Sequence, residues 1–285
     1  MSEHKIPVEK LKELCARVDG DCALYVSVPA EGQKFSINEN MLFNAASTIK
    51  IPVIARLFQD AAEGRVDLSQ KVVVKPDNRA PGSGILLSMD PDIELSIFDL
   101  ANLMIVMSDN TATNEIIDVV GMERVRQFCL DHGVTNTWIW HKIFYKGYTP
   151  PAQVPEGAPE DATCVGDLGR MMEQLADGTL LDGASCRKII QIMANQRVAR
   201  LKTLLPTAYR PDPRAEQLEL PPEGKVVVAS KGGTLLNPAR AHDAGIFYLP
   251  DGRYYVMTMC TNSADLQATT RIINEAGLVM YEAMK

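Results

Sequence analysis

"FNAASTIKIPVIARLFQDAAEG", residues 43–64, sets a serine and a lysine three apart at the start of a helical pattern. From Ile49 the apolar residues recur at helical spacing and Gly64 closes the run, which predicts an amphipathic helix. On its first turn Ser47 and Lys50 share a face, next to the unpaired N–H groups and positive end that favour an alkoxide. A lysine crowded by desolvation and positive neighbours loses its proton near neutral pH and then accepts one from a serine. The plain alternative is a helix cap and a surface charge. Ser2 and Lys5 repeat the same spacing in this chain, so the pair decides nothing alone.

The surrounding totals narrow the classes of function. With 285 residues, 46% hydrophobic and 23% charged, the chain has an ordinary globular balance and enough length for one large domain or two small ones. The net charge of -7 and the absence of any basic run longer than a pair disfavour nucleic acid and anionic membrane as partners. The charged amphipathic start "MSEHKIPVEKLKELCARVDGD" has no apolar stretch of signal-peptide length, and six scattered cysteines without C-x-x-C pairs read as buried thiols. The expectation is a cytoplasmic protein, or an exported one if a leader was removed.

Strands are expected at the two ends and helices between them. "CALYVSV" (22–28) and "KFSIN" (34–38) flank a turn, and "KVVVASKGG" (225–233), "AGIFYL" (244–249) and "RYYVMTMCT" (253–261) repeat the β-rich pattern before a last helix from Asp265. The intervening chain holds five runs with helical periodicity, among them "LSIFDLANLMIVMSDNTATNEIIDVVG". Residues 133–163 are proline-rich, lack a period and read as a long surface loop, which in a compact domain is more often functional than idle.

Four histidines without a G-x-S-x-G elbow leave a Ser-His-Asp triad unsupported, and no H-E-x-x-H, phosphate loop or dinucleotide fingerprint is present. Two further motifs change the weight of Ser47 and Lys50. Ser108, Asp109 and Asn110 end an apolar helical run in "MSDNTATN", and Lys231 leaves a β-rich run in "SKGGTL". S-x-x-K, S-D-N and a lysine-glycine strand in that order resemble the class A β-lactamase and penicillin-binding serine hydrolases. The resemblance runs from about Cys22 to the C-terminus and includes "GSGIL" (82–86) before the second motif and the strand-PDG-strand ending.

That resemblance implies an α+β fold: an antiparallel five-stranded sheet with terminal helices plus an inserted all-helical domain. The expected division is residues 1–46 and 206–285 for the sheet domain and 47–205 for the helical one. It also implies a small-molecule substrate, a β-lactam or a related carboxylate-bearing amide or ester, and no cofactor or metal. By similarity Ser47 attacks a carbonyl, Lys50 takes its proton, Ser108 relays a proton to the leaving nitrogen, and Lys231 holds Ser108 and the substrate carboxylate. Asn110, Gly233, Thr234 and Arg240 are expected to bind substrate, with the N–H groups of Ser47 and Thr234 as the oxyanion hole. Each has a structural alternative: Ser108 as a helix end, Asn110 as a turn, Lys231 as a strand-end charge.

Two departures from the family pattern stand out. The third motif reads Lys231-Gly232-Gly233, so the family's hydroxyl residue after the lysine is missing, with Thr234 one place further on. In the long loop, where class A enzymes carry a glutamate that activates the deacylating water, no acid occurs between Gly133 and Pro155; Glu156, Glu160 and Asp161 come late. Lys142 and Tyr145 in "HKIFYKGY" are candidates to face the pocket or to pin the loop. Arg240 and His242 are candidates for a second carboxylate anchor. A peptidase, amidase or esterase with little β-lactamase activity, and an acyl-trapping sensor module, stand as alternatives.

Overall fold

The computed structural model describes residues 5–144, 157–208, 212–215 and 217–285. In chain order, helix α1 (Val8–Ala16) leads into strands β1 (Gly20–Val28), β2 (Gln33–Ile37) and β3 (Phe43–Asn44), then a 3-10 turn at Ala46–Ile49 and helix α2 (Lys50–Ala62). Strands β4 (Lys71–Val73) and β5 (Glu94–Ser96) precede helices α3 (Ile97–Val106), α4 (Asn110–Val120) and α5 (Met122–Asp131). After the loop come β6 (Ala162–Thr163), α6 (Val165–Asp177) and α7 (Gly183–Ala194). The hairpin strands β7 (Val227–Leu236), β8 (Ala239–Tyr248) and β9 (Tyr254–Ser263) and helix α8 (Leu266–Met284) complete the fold. Among the described residues no helix is long and apolar enough to cross a membrane.

The main sheet has the order β2-β1-β9-β8-β7, antiparallel throughout. Both faces are covered, so its strands are apolar on both sides rather than alternating with polar residues. Ala23 and Tyr25 of β1 face the helical block, whereas Cys22, Leu24 and Val26 face the layer that holds α1 and α8. All six cysteines are buried free thiols. Strand β8 begins at Ala239, earlier than the β-rich run from Ala244 suggests. Its first residues, Ala-Arg-Ala-His-Asp, have weak strand propensity, but pairing with β7 on one side and β9 on the other overrides it.

Contacts within and between the layers lock the elements in place. The ring of Tyr25 lies against Gly169, whose missing side chain lets α6 settle on the sheet, and Tyr25 Oη donates to Glu173 Oε1 at 2.7 Å. Fully buried Asp60 on α2 accepts from Arg56 (2.6 Å), Arg65 (2.9 Å) and Arg124 (2.5 Å), which ties α2 to α5. On the outer face Gly277 of α8 sits on the Leu201 carbonyl, leaving no room for a Cβ. Asp243 Oδ2 accepts from the N–H groups of Arg200 (2.5 Å) and Leu201 (2.9 Å), so this segment is held from both sides.

Gly277→Ala is therefore expected to lower stability by about 1–3 kcal/mol through overpacking. Alanine otherwise favours a helix by about 1 kcal/mol over glycine, so a lowered urea midpoint would identify the Leu201 contact as the cause.

Candidate active site

The site is assembled from three pieces of chain, beginning with the Ser47 turn. Strand β3 pairs with β6, Ala45 N donates to Asp161 O at 2.9 Å, and Asn44 Oδ1 accepts from Ala46 N at 3.0 Å. Ala46 has a φ of 46°, and the chain then enters the 3-10 turn, where residues three apart eclipse one another. This places Lys50 beneath Ser47 and sends its side chain into the interior, fully buried.

The second piece is a break in what reads as one long apolar helix. Helix α3 stops after Val106, Ser108 adopts a φ of 55°, and Asp109 caps α4 by accepting from Ala112 N at 2.9 Å. Asp109 Oδ2 also accepts from the N–H groups of Ile85 (2.6 Å) and Leu86 (2.9 Å), so its role here is structural. The "GSGIL" loop is thereby fastened to the break. Ser83 Oγ donates to Ser108 O at 2.7 Å, and Asn110 Nδ2 donates to Pro81 O at 2.7 Å.

Lys50 Nζ meets this break with three hydrogen bonds: to Ser108 O (2.6 Å), Ser108 Oγ (3.1 Å) and Asn110 Oδ1 (2.9 Å). From the opposite side Lys231 Nζ donates to Ser108 Oγ at 3.0 Å and to Gly232 O at 2.7 Å. Two lysines, both fully buried, thus converge on one hydroxyl. Burial, then the charge of Lys231, holds Lys50 well below the ordinary lysine range, with Asp109 opposing. Burial pushes Lys231 down to about 7, with Asp243 opposing and Arg200 assisting.

The third piece is β7. A Cβ at Gly233 would lie 3.1 Å from Ser47 N, so this strand runs directly against the Ser47 turn. A Cβ at Gly232 would collide with the Val198 carbonyl, which leaves no space for a hydroxyl residue directly after the lysine. The hydroxyl appears at Thr234 instead, where Oγ1 accepts from Arg200 Nη2 at 2.5 Å, while Arg200 Nη1 donates to Gly233 O (3.2 Å) and His242 O (3.3 Å).

Sequence reasoning did not find Arg200. It lies outside the three motifs, in "QRVARL" after α7, and only the missing hydroxyl at Gly232 hinted at a rearranged anchor. Arg240 pairs across the β7–β8 ladder with Leu235 and is not among the described residues lining the cavity. His242 accepts from Thr261 N through Nδ1 (3.2 Å) and donates from Nε2 to Asn44 O (2.9 Å); burial lowers its pKa to about 4, so it braces β3 as a neutral ring.

These pieces enclose a cavity of about 580 Å³ lined by Ser47, Ser108, Asn110, Gly232 and Thr234 on its polar side. Ile143, Phe144, Val198, Leu235 and Leu236 supply an apolar side. Lys142 is turned away, bonded to Asn78 Oδ1 (2.7 Å) and Asp118 Oδ1 (2.6 Å), and so pins the loop. Asn114 holds the same segment by accepting from Ile143 N at 2.7 Å. Tyr145 and Glu156 lie outside the described residues. Asp161 and His141 line the cavity at the neck of the loop, where Trp138 and Ala162 exchange backbone hydrogen bonds at 3.1 Å.

Known proteins resemble this chain in structure and in sequence. The crystal structure of a β-lactamase from Sphaerobacter thermophilus superposes with a TM-score of 0.82 at 27% identity, covering 98% of each chain. A variant of PBP-A captured as its acyl-enzyme with penicillin G matches at a TM-score of 0.78 and 26% identity, over 100% of this chain and 99% of that one. The β-lactamase regulatory protein BlaB of Streptomyces cacaoi is 23% identical over 260 residues, 81% of each sequence. The profile of the β-lactamase enzyme family matches residues 7–284, and the chain belongs to that family, with its serine hydrolase fold.

Proposed function

We propose that the protein is a serine acyl hydrolase that opens a carboxylate-bearing β-lactam, or a related amide or ester, through an acyl-enzyme on Ser47. The observation that carries this reading is the chain Lys50–Ser108–Lys231, buried and continuous by hydrogen bonds, whose Ser108 lines the same cavity as Ser47. Burial and the charge of Lys231 lower the Lys50 pKa, which favours the free amine that takes the Ser47 proton as Oγ bonds to the substrate carbonyl carbon. The N–H groups of Ser47 and Thr234 receive the oxyanion. When the C–N bond breaks, the leaving nitrogen takes a proton from Ser108 Oγ, which is refilled from Lys231 or Lys50.

The Thr234 hydroxyl, which lines the cavity and keeps its own proton to donate while accepting from Arg200, forms the carboxylate anchor, with Arg200 behind it supplying positive charge and one uncommitted N–H. Phe144 and Leu236, both exposed, and Val198 suit an apolar acyl side chain. A second reading, a long-lived adduct of the penicillin-binding kind, is favoured by the apolar Ile143 and Phe144 at the loop face of the cavity.

Intact-mass measurement with benzylpenicillin, alongside turnover of a chromogenic cephalosporin, tests the reading. A mass increase that disappears in Ser47→Ala is expected, and an adduct that persists in that variant would sink it. Arg200→Gln is expected to lower kcat/KM by about 10–100-fold for the free carboxylate, the scale of a hydrogen bond to a charged group. The corresponding methyl ester should show little change. Because Lys231 carries its proton below about 7, acylation is expected to decline as pH rises through that value. Lys231→Arg, which keeps its charge, should remove that decline in single-turnover rates.

A further inference from the structure

Two of the six buried thiols meet on the outer face of the sheet, away from the cavity. Cys15 lies on the last turn of α1 and Cys22 near the start of β1. The six residues between them turn the chain back on itself through Gly20, whose φ is 133°. Both side chains belong to the layer between the sheet and helices α1 and α8, and each is 7% exposed. There the Cys22 thiol donates a hydrogen bond to Cys15 Sγ. Cys260 is close by on β9, opposite Ala23, but strand alternation turns it to the other face of the sheet, among the core of the helical block. It therefore does not compete for Cys22.

We propose that Cys15 and Cys22 are a thiol-disulfide modification site, which a low-molecular-weight disulfide oxidises to a reversible bond between α1 and β1. The Cys15 thiolate attacks one sulfur of the small disulfide. A mixed disulfide forms on Cys15, the S–S bond of the reagent breaks, and the departing thiolate takes up the proton that Cys15 released. Cys22 then loses its proton and attacks Cys15 Sγ. The mixed bond breaks, and the second small thiol leaves with the Cys22 proton. Two protein thiols are oxidised, and one small disulfide is reduced to two thiols.

The surroundings divide the two roles. The hydrogen bond from Cys22 holds Cys15 below the ordinary thiol range, with burial opposing, so Cys15 is the thiol that attacks. The same bond raises Cys22, as do burial and the charge on Cys15. Once Cys15 is in the mixed disulfide, that bond and that charge are gone, which frees Cys22 to complete the exchange. Burial pushes Cys129 and Cys164 up to about 12 and raises Cys186 and Cys260, which leaves these four inert. Access comes from α1 itself. It has only nine residues near the chain terminus and no side-chain cap at Pro7, so it opens locally at low free energy. In the closed form Arg17 Nη1 donates to Glu275 Oε2 of α8 at 2.6 Å and returns the end of α1 to its place.

Treating the folded protein with oxidised glutathione, blocking with N-ethylmaleimide and mapping tryptic peptides by mass tests the assignment. Arg17 lies between the two cysteines, so trypsin separates them unless they are bonded. The expected product has lost the mass of two hydrogens, yields Cys15 and Cys22 peptides joined to each other, and reverts with dithiothreitol. Cys22→Ser should stop at a glutathione adduct on Cys15, whereas Cys15→Ser should give little adduct on Cys22. In urea the oxidised wild type should show an unfolding equilibrium constant lowered by about tenfold or more, because closing even a short loop restricts the unfolded chain. The wild-type measurements carry the test even where a serine variant folds poorly. No joined peptides, joining to other cysteines, joining only in urea-unfolded protein, or a lowered urea midpoint would overturn the proposal. Equal adducts in the two serine variants would overturn the role of Cys15 as the attacking thiol.

Discussion

Everything in the site depends on two lysine side chains being held in the interior with one serine hydroxyl between them. Removing an ammonium from water is costly unless it is paired or neutralised, and here the nearby carboxylates of Asp109 and Asp243 oppose the loss of charge without preventing it. Burial therefore moves both amines toward the neutral form. Such an arrangement persists only if the surrounding structure fixes it, which accounts for the left-handed backbone at Ser108 and the cap at Asp109.

The same constraint organises the neighbouring elements. Helix α2 carries Lys50 and is anchored at its far end by three arginines on Asp60. Strand β7 carries Lys231 and must approach the Ser47 turn closely, which explains glycine at positions 232 and 233. The segment leading to Arg200 passes over Gly232 and is seated by Asp243 and α8. Thus the terminal helix, remote from the cavity, helps set where Arg200 lies over β7.

Much of this was legible in the chain. Strand and helix periodicity gave the sheet at the ends and the helical block between; Lys50, Ser108, Asn110 and Lys231 are joined by hydrogen bonds, and Ser47 lines the same cavity as Ser108 and Asn110. Their legibility has a physical cause, because each motif couples a reactive side chain to a backbone shape that few residues tolerate. Arg200 was not legible, since a guanidinium can reach the same spot from several places along the chain, and its own neighbours reveal only a buried setting. Asp161 was visible as a late acid in the loop, but its place at the cavity depends on the β3–β6 pairing of two-residue strands. Strand β8 likewise gained its first five residues from partners on both sides and not from its own sequence.

The sheet order has a consequence for how the molecule is made. Strand β1 has β9 as its inner neighbour, although most of the chain lies between them. The sheet cannot close until the chain has been made as far as β9. Such distant pairing makes folding slow relative to a protein of local contacts. The helical block, with α2 already bearing Ser47 on its preceding turn, must wait with its sheet-facing side uncovered, which is the interval when a chaperone would be of most use.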